Sequence, residues 1–240
     1  MENAGYIALS RQIAVRRNLD IVANNLANMT TVGYKAQNIM FEEHLNGKAS
    51  DKINSFNQVN DYGQYMSTSA GKFQNTGNPL DISIKGNGYM SVETPAGTRY
   101  TRNGMFQLNQ LGEIVTQQGF PVGSDSNAPI TVPQGTNEIK ITSKGDVVAD
   151  GSVVGRIGVF AFENQQDLVQ VGNNMYTSEK EPAKDEESTV LQGMLESSNV
   201  NPIAEMTKML SISRSYTGSQ KIINDEHERL RGMVRKLGEQ

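Results

Sequence analysis

The residue types that do chemistry are scarce in this chain and poorly placed to do it together. Its 240 residues include no Cys, no Trp and only two His, His44 and His227. Without Cys there is no thiolate nucleophile, disulfide framework, zinc knuckle or iron–sulfur ligation. The two histidines lie in different regions, and neither has a metal-ligating companion at useful spacing. Glu42-Glu43 and Asp185-Glu186-Glu187 read as solvated charge, since an acid/base pair needs two carboxyls held in a cleft with separated pKa values. Arg99 and Arg102 could meet a phosphate, but Asn103-Gly104 reads more simply as the turn of a hairpin. Lys85-Gly86-Asn87-Gly88 lacks the spacing of a phosphate loop or a dinucleotide fingerprint. The expectation is a protein with no catalytic site, no cofactor and no metal, and hence not an enzyme.

Composition points the same way. Lys and Arg number 22 against 26 Asp and Glu, a net charge of −4, which gives no basic surface for nucleic acid or an anionic membrane. Asn and Gln together make 39 residues (23 and 16), so much of the surface hydrogen-bonds without charge. The start, Met1-Glu2-Asn3-Ala4-Gly5-Tyr6, carries no basic region followed by an apolar run, so no cleaved signal peptide is expected. Apolar stretches such as Gly158-Val159-Phe160-Ala161-Phe162 are strand-sized, far below the roughly 20 residues of a membrane span.

Three regions separate by hydrophobic period. Over residues 4–29, Val15, Leu19, Val22, Leu26 and Met29 fall at steps of four and three, which predicts a helix with one apolar stripe. It stops before Thr30-Thr31-Val32-Gly33. From Pro202 onward one heptad position reads Met209, Tyr216, Ile223, Leu230 and Leu237. Its partner position reads Met206, Ser213, Gln220, His227 and Val234, polar in the middle. Between the helices, short β-branched and aromatic runs from about Leu80 to Tyr176 are punctuated by Asn87-Gly88, Pro95-Ala96-Gly97, Lys144-Gly145-Asp146 and Asp150-Gly151. That is antiparallel β chemistry. The predicted fold class is therefore α+β: long N- and C-terminal α-helices packing as a coiled-coil-like pair, with an inserted antiparallel all-β domain. The predicted divisions are an N-terminal helix over 1–35, an extended connector over 36–79, the β domain over 80–178, a linker and C-terminal motif over 179–201, and a C-terminal helix over 202–240.

A two-helix pair is a thin core for a monomer, so the stripes call for partners from other molecules. A patch that meets a different patch on the next copy gives a heterologous contact, which closes into rings or propagates as a helical filament. Asn24, Asn25 and Asn28 lie on adjacent turns beside Ala23 and Ala27, where amides can bond across close-packed helices.

At these residues a family resemblance appears. Asn24-Asn25-Leu26-Ala27-Asn28 followed by Thr31-Val32-Gly33-Tyr34-Lys35 resembles the N-terminal signature of flagellar basal-body rod and hook proteins. Gly86-Asn87-Gly88-Tyr89, Tyr100-Thr101-Arg102-Asn103-Gly104-Met105-Phe106 and Leu111-Gly112-Glu113-Ile114-Val115 resemble that family's central β domain. Glu196-Ser197-Ser198-Asn199-Val200-Asn201 resembles its C-terminal motif. The resemblance implies a proximal rod subunit that polymerises through its terminal helices into a tubular drive shaft. It also implies export through the flagellar type III apparatus, with partners among its own copies, other rod proteins and the surrounding rings. The expected assembly residues are Val15, Leu19, Val22, Asn24, Asn25, Leu26, Asn28, Met29, Gly33 and Tyr34 near the N terminus. Near the C terminus they are Asn199, Val200, Met206, Met209, Tyr216, Ile223, Leu230 and Leu237. Competing readings are a distal rod or hook protein of the same family and, from another class, a secreted β-rich binding module dimerised by its helices.

Overall fold

The computed structural model describes residues 2–46, 56–126 and 128–238. The chain begins with helix α1 (Glu2–Ala27), followed by strands β1 (Gln37–Asn46), β2 (Phe56–Met66) and β3 (Phe73–Asn75). Next come β4 (Ile82–Lys85), β5 (Tyr89–Thr94), β6 (Gly97–Thr101), β7 (Phe106–Leu108) and β8 (Ile114–Thr116). Then follow β9 (Ile139–Ile141), β10 (Asp146–Ala149), β11 (Ser152–Arg156), β12 (Val159–Ala161), β13 (Val169–Gln170) and β14 (Met175–Thr177). The series closes with β15 (Ala183–Lys184), β16 (Thr189–Gln192), β17 (Met194–Glu196) and helix α2 (Pro202–Gly238).

The expected fold class is corrected by these elements. Only α2, at 37 residues or about 55 Å, is long; α1 has 26. Antiparallel strands begin at Gln37 and continue to Glu196, well beyond the predicted insertion, so strand pairing rather than a matched helix pair organises most of the chain. The physical reason lies in what the helices bury. Among the described side chains of α2 the buried ones are Glu205 and Ser219, too polar or too small to serve as coiled-coil knobs. Met206, Ser213 and His227, expected as a second seam row, are exposed.

Two compact units form: residues 1–27, 37–65 and 201–240 in the first, and residues 28–36 and 66–200 in the second. In the first, α1 buries Ala14, Ile21 and Val22. The α1 and α2 helices run antiparallel, since Gln12 donates to Gln220 while Asn25 donates to Glu205. The α2 start is capped by Asn201, whose Oδ1 accepts from Ile203 N at 3.1 Å and Ala204 N at 3.3 Å, with Pro202 at the first helical position.

In the second unit a six-stranded sheet has the order β13-β14-β6-β5-β12-β15, beside a three-stranded sheet β11-β10-β9. Two-stranded pairs β16-β4, β17-β3 and β7-β8 complete it. Ile82, Ile84, Met90, Phe106, Ile114, Val122, Ile130, Val147 and Ile157 are part of the main apolar core, whose buried members run from Ile82 to Val190. A second cluster of Met66, Tyr89, Leu168 and Tyr176 adds Tyr100 and Phe162 in edge-to-face contacts.

The Asn103-Gly104 hairpin is also corrected. β6 pairs with β5 and β14 while β7 pairs with β8, so Asn103-Gly104 carries the chain from one sheet to another. Gly104 is required there by proximity: a Cβ would lie 1.6 Å from the Ile82 carbonyl oxygen. The Asp150-Gly151 pair does close a hairpin, β10–β11, with φ of 46° and 86° at its two residues. No helix among the described residues is long and apolar enough to cross a membrane.

Candidate assembly site

Two sets of residues carry the terminal motifs: a helix face in the first unit and a polar junction in the second. Along α1, Val15, Leu19 and Leu26 are half-buried and Val22 is buried, while Leu9 and Ile13 face solvent at 49% and 62% exposure. Along α2, Met209, Tyr216 and Ile223 are half-buried, while Met206, Ile203, Leu210 and Ile222 are exposed. The side chains of Leu230 and Leu237 lie outside those described. Thus one apolar stripe is used within the chain, while further apolar side chains on the outward sides of the helices are exposed. Hydrophobic period traced the inner stripe and missed Ile13, Ile203, Leu210 and Ile222, because at 100° per residue they lie off that stripe.

The amides divide. Asn24 is exposed, whereas Asn25 is buried: its Oδ1 accepts from Gln37 N at 2.9 Å, and its Nδ2 donates to Gln37 O at 2.8 Å and to the Glu205 carboxylate at 3.2 Å. Lys208 Nζ donates to the same carboxylate group at 2.6 Å. Asn25 therefore fixes how the chain enters β1 and binds the first turn of α2.

In the second unit Met29 is exposed and Asn28 half-buried, its Oδ1 accepting from Thr31 Oγ1 at 3.1 Å. Gly33, Tyr34 and Lys35 are buried. Gly33 adopts φ 69°, and its N–H donates to Glu196 O at 2.7 Å. Asn199 is half-buried; its Oδ1 accepts from Ala36 N at 2.7 Å, and its N–H donates to Tyr34 O at 3.3 Å. Val200 is buried. The N- and C-terminal motifs, some 160 positions apart in sequence, are thus one local structure.

At its centre is a group that sequence reasoning missed. Glu196 Oε1 lies 2.6 Å from Lys35 Nζ and Glu196 Oε2 lies 3.2 Å from Arg102 Nη1, with all three side chains at most 2% exposed. Burial opposes the Glu196 charge, but the Lys35 ammonium and its hydrogen bond, the Gly71 N–H and the Arg102 guanidinium outweigh it. They hold the carboxyl below its usual range. Burial likewise pulls the Lys35 ammonium below its ordinary value despite Glu196. Arg102 also donates to Gly86 O at 2.6 Å and lies 4.9 Å above the Tyr89 ring. This occupies the guanidinium internally, so it is not a phosphate site. Lys35 and Glu196 each ended or began a quoted motif, but nothing local marks them as partners. Among the described residues, no three His, Cys, Asp or Glu side chains gather as metal ligands.

Comparison with known proteins matches this arrangement motif by motif. A family model described as flagella basal body rod protein matches residues 6–35. One described as flagellar hook protein FlgE/F/G D1 domain matches residues 83–149, and one described as flagellar basal body rod FlgEFG protein C-terminal matches residues 191–235. The chain is 37% identical over 243 residues to flagellar basal-body rod protein FlgF of Caulobacter vibrioides, covering 99% of both chains. It is 32% identical to the FlgF of Mesorhizobium japonicum, again over 99% of both. It is 30% identical to the rod protein FlgG of Bacillus subtilis, over 95% of this chain and 97% of that one. With its terminal motifs joined as one structure and its whole length matched, the chain belongs to the flagellar basal-body rod protein family, close to FlgF.

Proposed function

We infer that this chain is a non-enzymatic structural subunit of the proximal part of the flagellar rod, polymerising through its terminal helices. The observation that carries this reading is the set of exposed apolar side chains on both helices, Leu9 and Ile13 on α1 with Ile203, Leu210 and Ile222 on α2. At about 25 cal/mol per Å² of apolar surface removed from water, such side chains favour burial against neighbouring subunits. Val15, Leu19, Val22, Leu26, Met209, Tyr216 and Ile223 hold the helices in register beneath it. Met206 and Asn24 are exposed and join the helix contact surface, and Met29, exposed on the second unit, offers a contact of its own. Asn25, Asn28, Gly33, Tyr34, Asn199 and Val200 act by fixing the chain where it leaves each helix. Leu230 and Leu237 are proposed as further members of the assembly contact.

Torque passes through such a tube because many helices are gripped laterally at once, and exported subunits pass along its interior. The chain reaches the rod through the flagellar type III apparatus, and its neighbours are its own copies, other rod proteins and the enclosing rings. Leu210→Asp and Ile222→Asp, expressed in place of the native chain, test the reading. The second unit stays folded, whereas basal bodies purified from those cells lack the protein and the cells do not swim. Normal incorporation of the double variant would overturn it.

A further inference from the structure

The second unit contains a buried charge imbalance that assembly does not use. Lys35 and Arg102 bring two cations to Glu196, which supplies one anion. The remaining partners are neutral: the Ser69 carbonyl accepts from Lys35 at 3.0 Å, and the Gly86 and Ile84 carbonyls accept from Arg102 at 2.6 and 3.5 Å. Arg102 Nε is buried without a hydrogen-bond partner. The other titratable groups facing this cluster are the phenols of Tyr89 on β5, Tyr176 on β14 and Tyr34. Burial raises the pKa of Tyr89 and Tyr176, which keeps those two neutral. Among the described residues Glu196 is therefore the only countercharge in the cluster.

Its carboxylate also joins three separate segments. It takes Lys35 from residues 28–36, the Gly71 N–H at 2.9 Å from the stretch before β3, and Arg102 from the end of β6. The hydrogen bonds that also hold the 28–36 segment include Gly33 N to Glu196 O, Asn199 N to Tyr34 O, Ser67 N to Ala36 O, Lys35 Nζ to Ser69 O, Ala36 N to Asn199 Oδ1 and Asn174 Nδ2 to Val32 O. None of its residues belongs to the main apolar core. It can lift away while that core stays packed, which is the condition for local rather than global opening.

We propose that Glu196 is a latch: ionised, it closes the 28–36 strap onto residues 196–199, and neutralised, it leaves two buried cations facing each other and the strap opens into water. Two like charges in a poorly solvated site repel far more strongly than in water, and opening rehydrates Lys35 at the cost of a few hydrogen bonds and the burial of Tyr34. The sign follows from the carboxyl's depressed pKa. Closure is fully stabilised above the ordinary glutamate value and is lost as pH falls through the lower folded one.

Hydrogen–deuterium exchange on the full chain, corrected for intrinsic rates, tests the latch. In Glu196→Gln at pH 7, peptides covering 28–36 exchange about 30-fold faster than in the native chain, while peptides covering β8 and β10 change little. In the native chain the strap opens on acidification before the core does, and Glu196→Gln lacks that step. A strap as protected in Glu196→Gln as in the native chain, or the same acid step in both, overturns the proposal. Should the variant fail to fold, the native titration decides alone: strap and core opening together at one pH overturns the latch.

Discussion

Asn25 of α1 and Glu205 of α2 meet within the first unit, the amide donating to the carboxylate at 3.2 Å while both side chains are buried. Because the same amide bonds both backbone groups of Gln37, Asn25→Ala removes a hydrogen-bond partner from three buried or half-buried polar groups. The expected cost is about 2–4 kcal/mol, read from the loss of helical signal in denaturant. Asn25→Asp is expected to be worse at pH 7 than at pH 4, because it sets a second buried carboxylate beside Glu205 that protonation relieves.

Gly33 separates conformational from steric demand. Its φ is 69°, and a Cβ would lie 2.4 Å from the Arg102 backbone carbon. Gly119 has φ 85° with nothing within 4 Å. Gly119→Ala should therefore cost only the left-handed penalty, about 1 kcal/mol, and Gly33→Ala at least about 3 kcal/mol. Equal midpoints for the two variants in urea would contradict the close approach.

Alkaline pH attacks the aromatic cluster. Burial pushes the Tyr89 hydroxyl up to about 12, ahead of the opposing pull of Arg102, and raises Tyr176 as well. A raised acid keeps its proton longer in the fold, so stability is intact below the ordinary tyrosine value and is lost as pH rises from there through the folded one. For Tyr89 the loss amounts to about 3 kcal/mol. Spectroscopic titration at 295 nm should show these phenols ionising only as the second unit unfolds.

The two units are expected to melt separately in the isolated chain. The α2 helix carries most of its side chains in solvent, whereas Tyr89 and Tyr176 are locked in the second unit. Far-ultraviolet helical signal should decline at lower denaturant than near-ultraviolet tyrosine signal; coincident transitions would show one cooperative unit.

What could be seen in advance followed from local physics. The Leu19, Val22 and Leu26 spacing and the Asn201-Pro202 start locate the helices, and runs such as Tyr89-Met90-Ser91-Val92 locate strands, because both signals lie within a few residues. Strand partners were not local. β16 pairs with β4 and β17 with β3 across more than 100 positions, from segments of three or four residues with no distinctive alternation. Asn103-Gly104 was misread as a hairpin for the same reason: a turn signal says that the chain bends, not which strands then pair. Helix pairing was overestimated because heptad spacing registers Met209, Tyr216 and Ile223 but is silent on the buried Glu205 and Ser219. The Lys35–Glu196 pair had no sequence signature at all, since a charge reveals its partner only once the chain has folded.

The bond from Ala36 N to Asn199 Oδ1 at 2.7 Å pins together, within the second unit, the segment that follows α1 and the segment that precedes α2. Everything between residues 36 and 199 is therefore a closed excursion whose ends are already spanned, and loop-closure entropy rises only slowly with the length enclosed. Segments grafted into or removed from that excursion would leave the distance between its two ends as it is. The attachment point thus admits central bodies of very different size without any change to the helices that flank it in sequence.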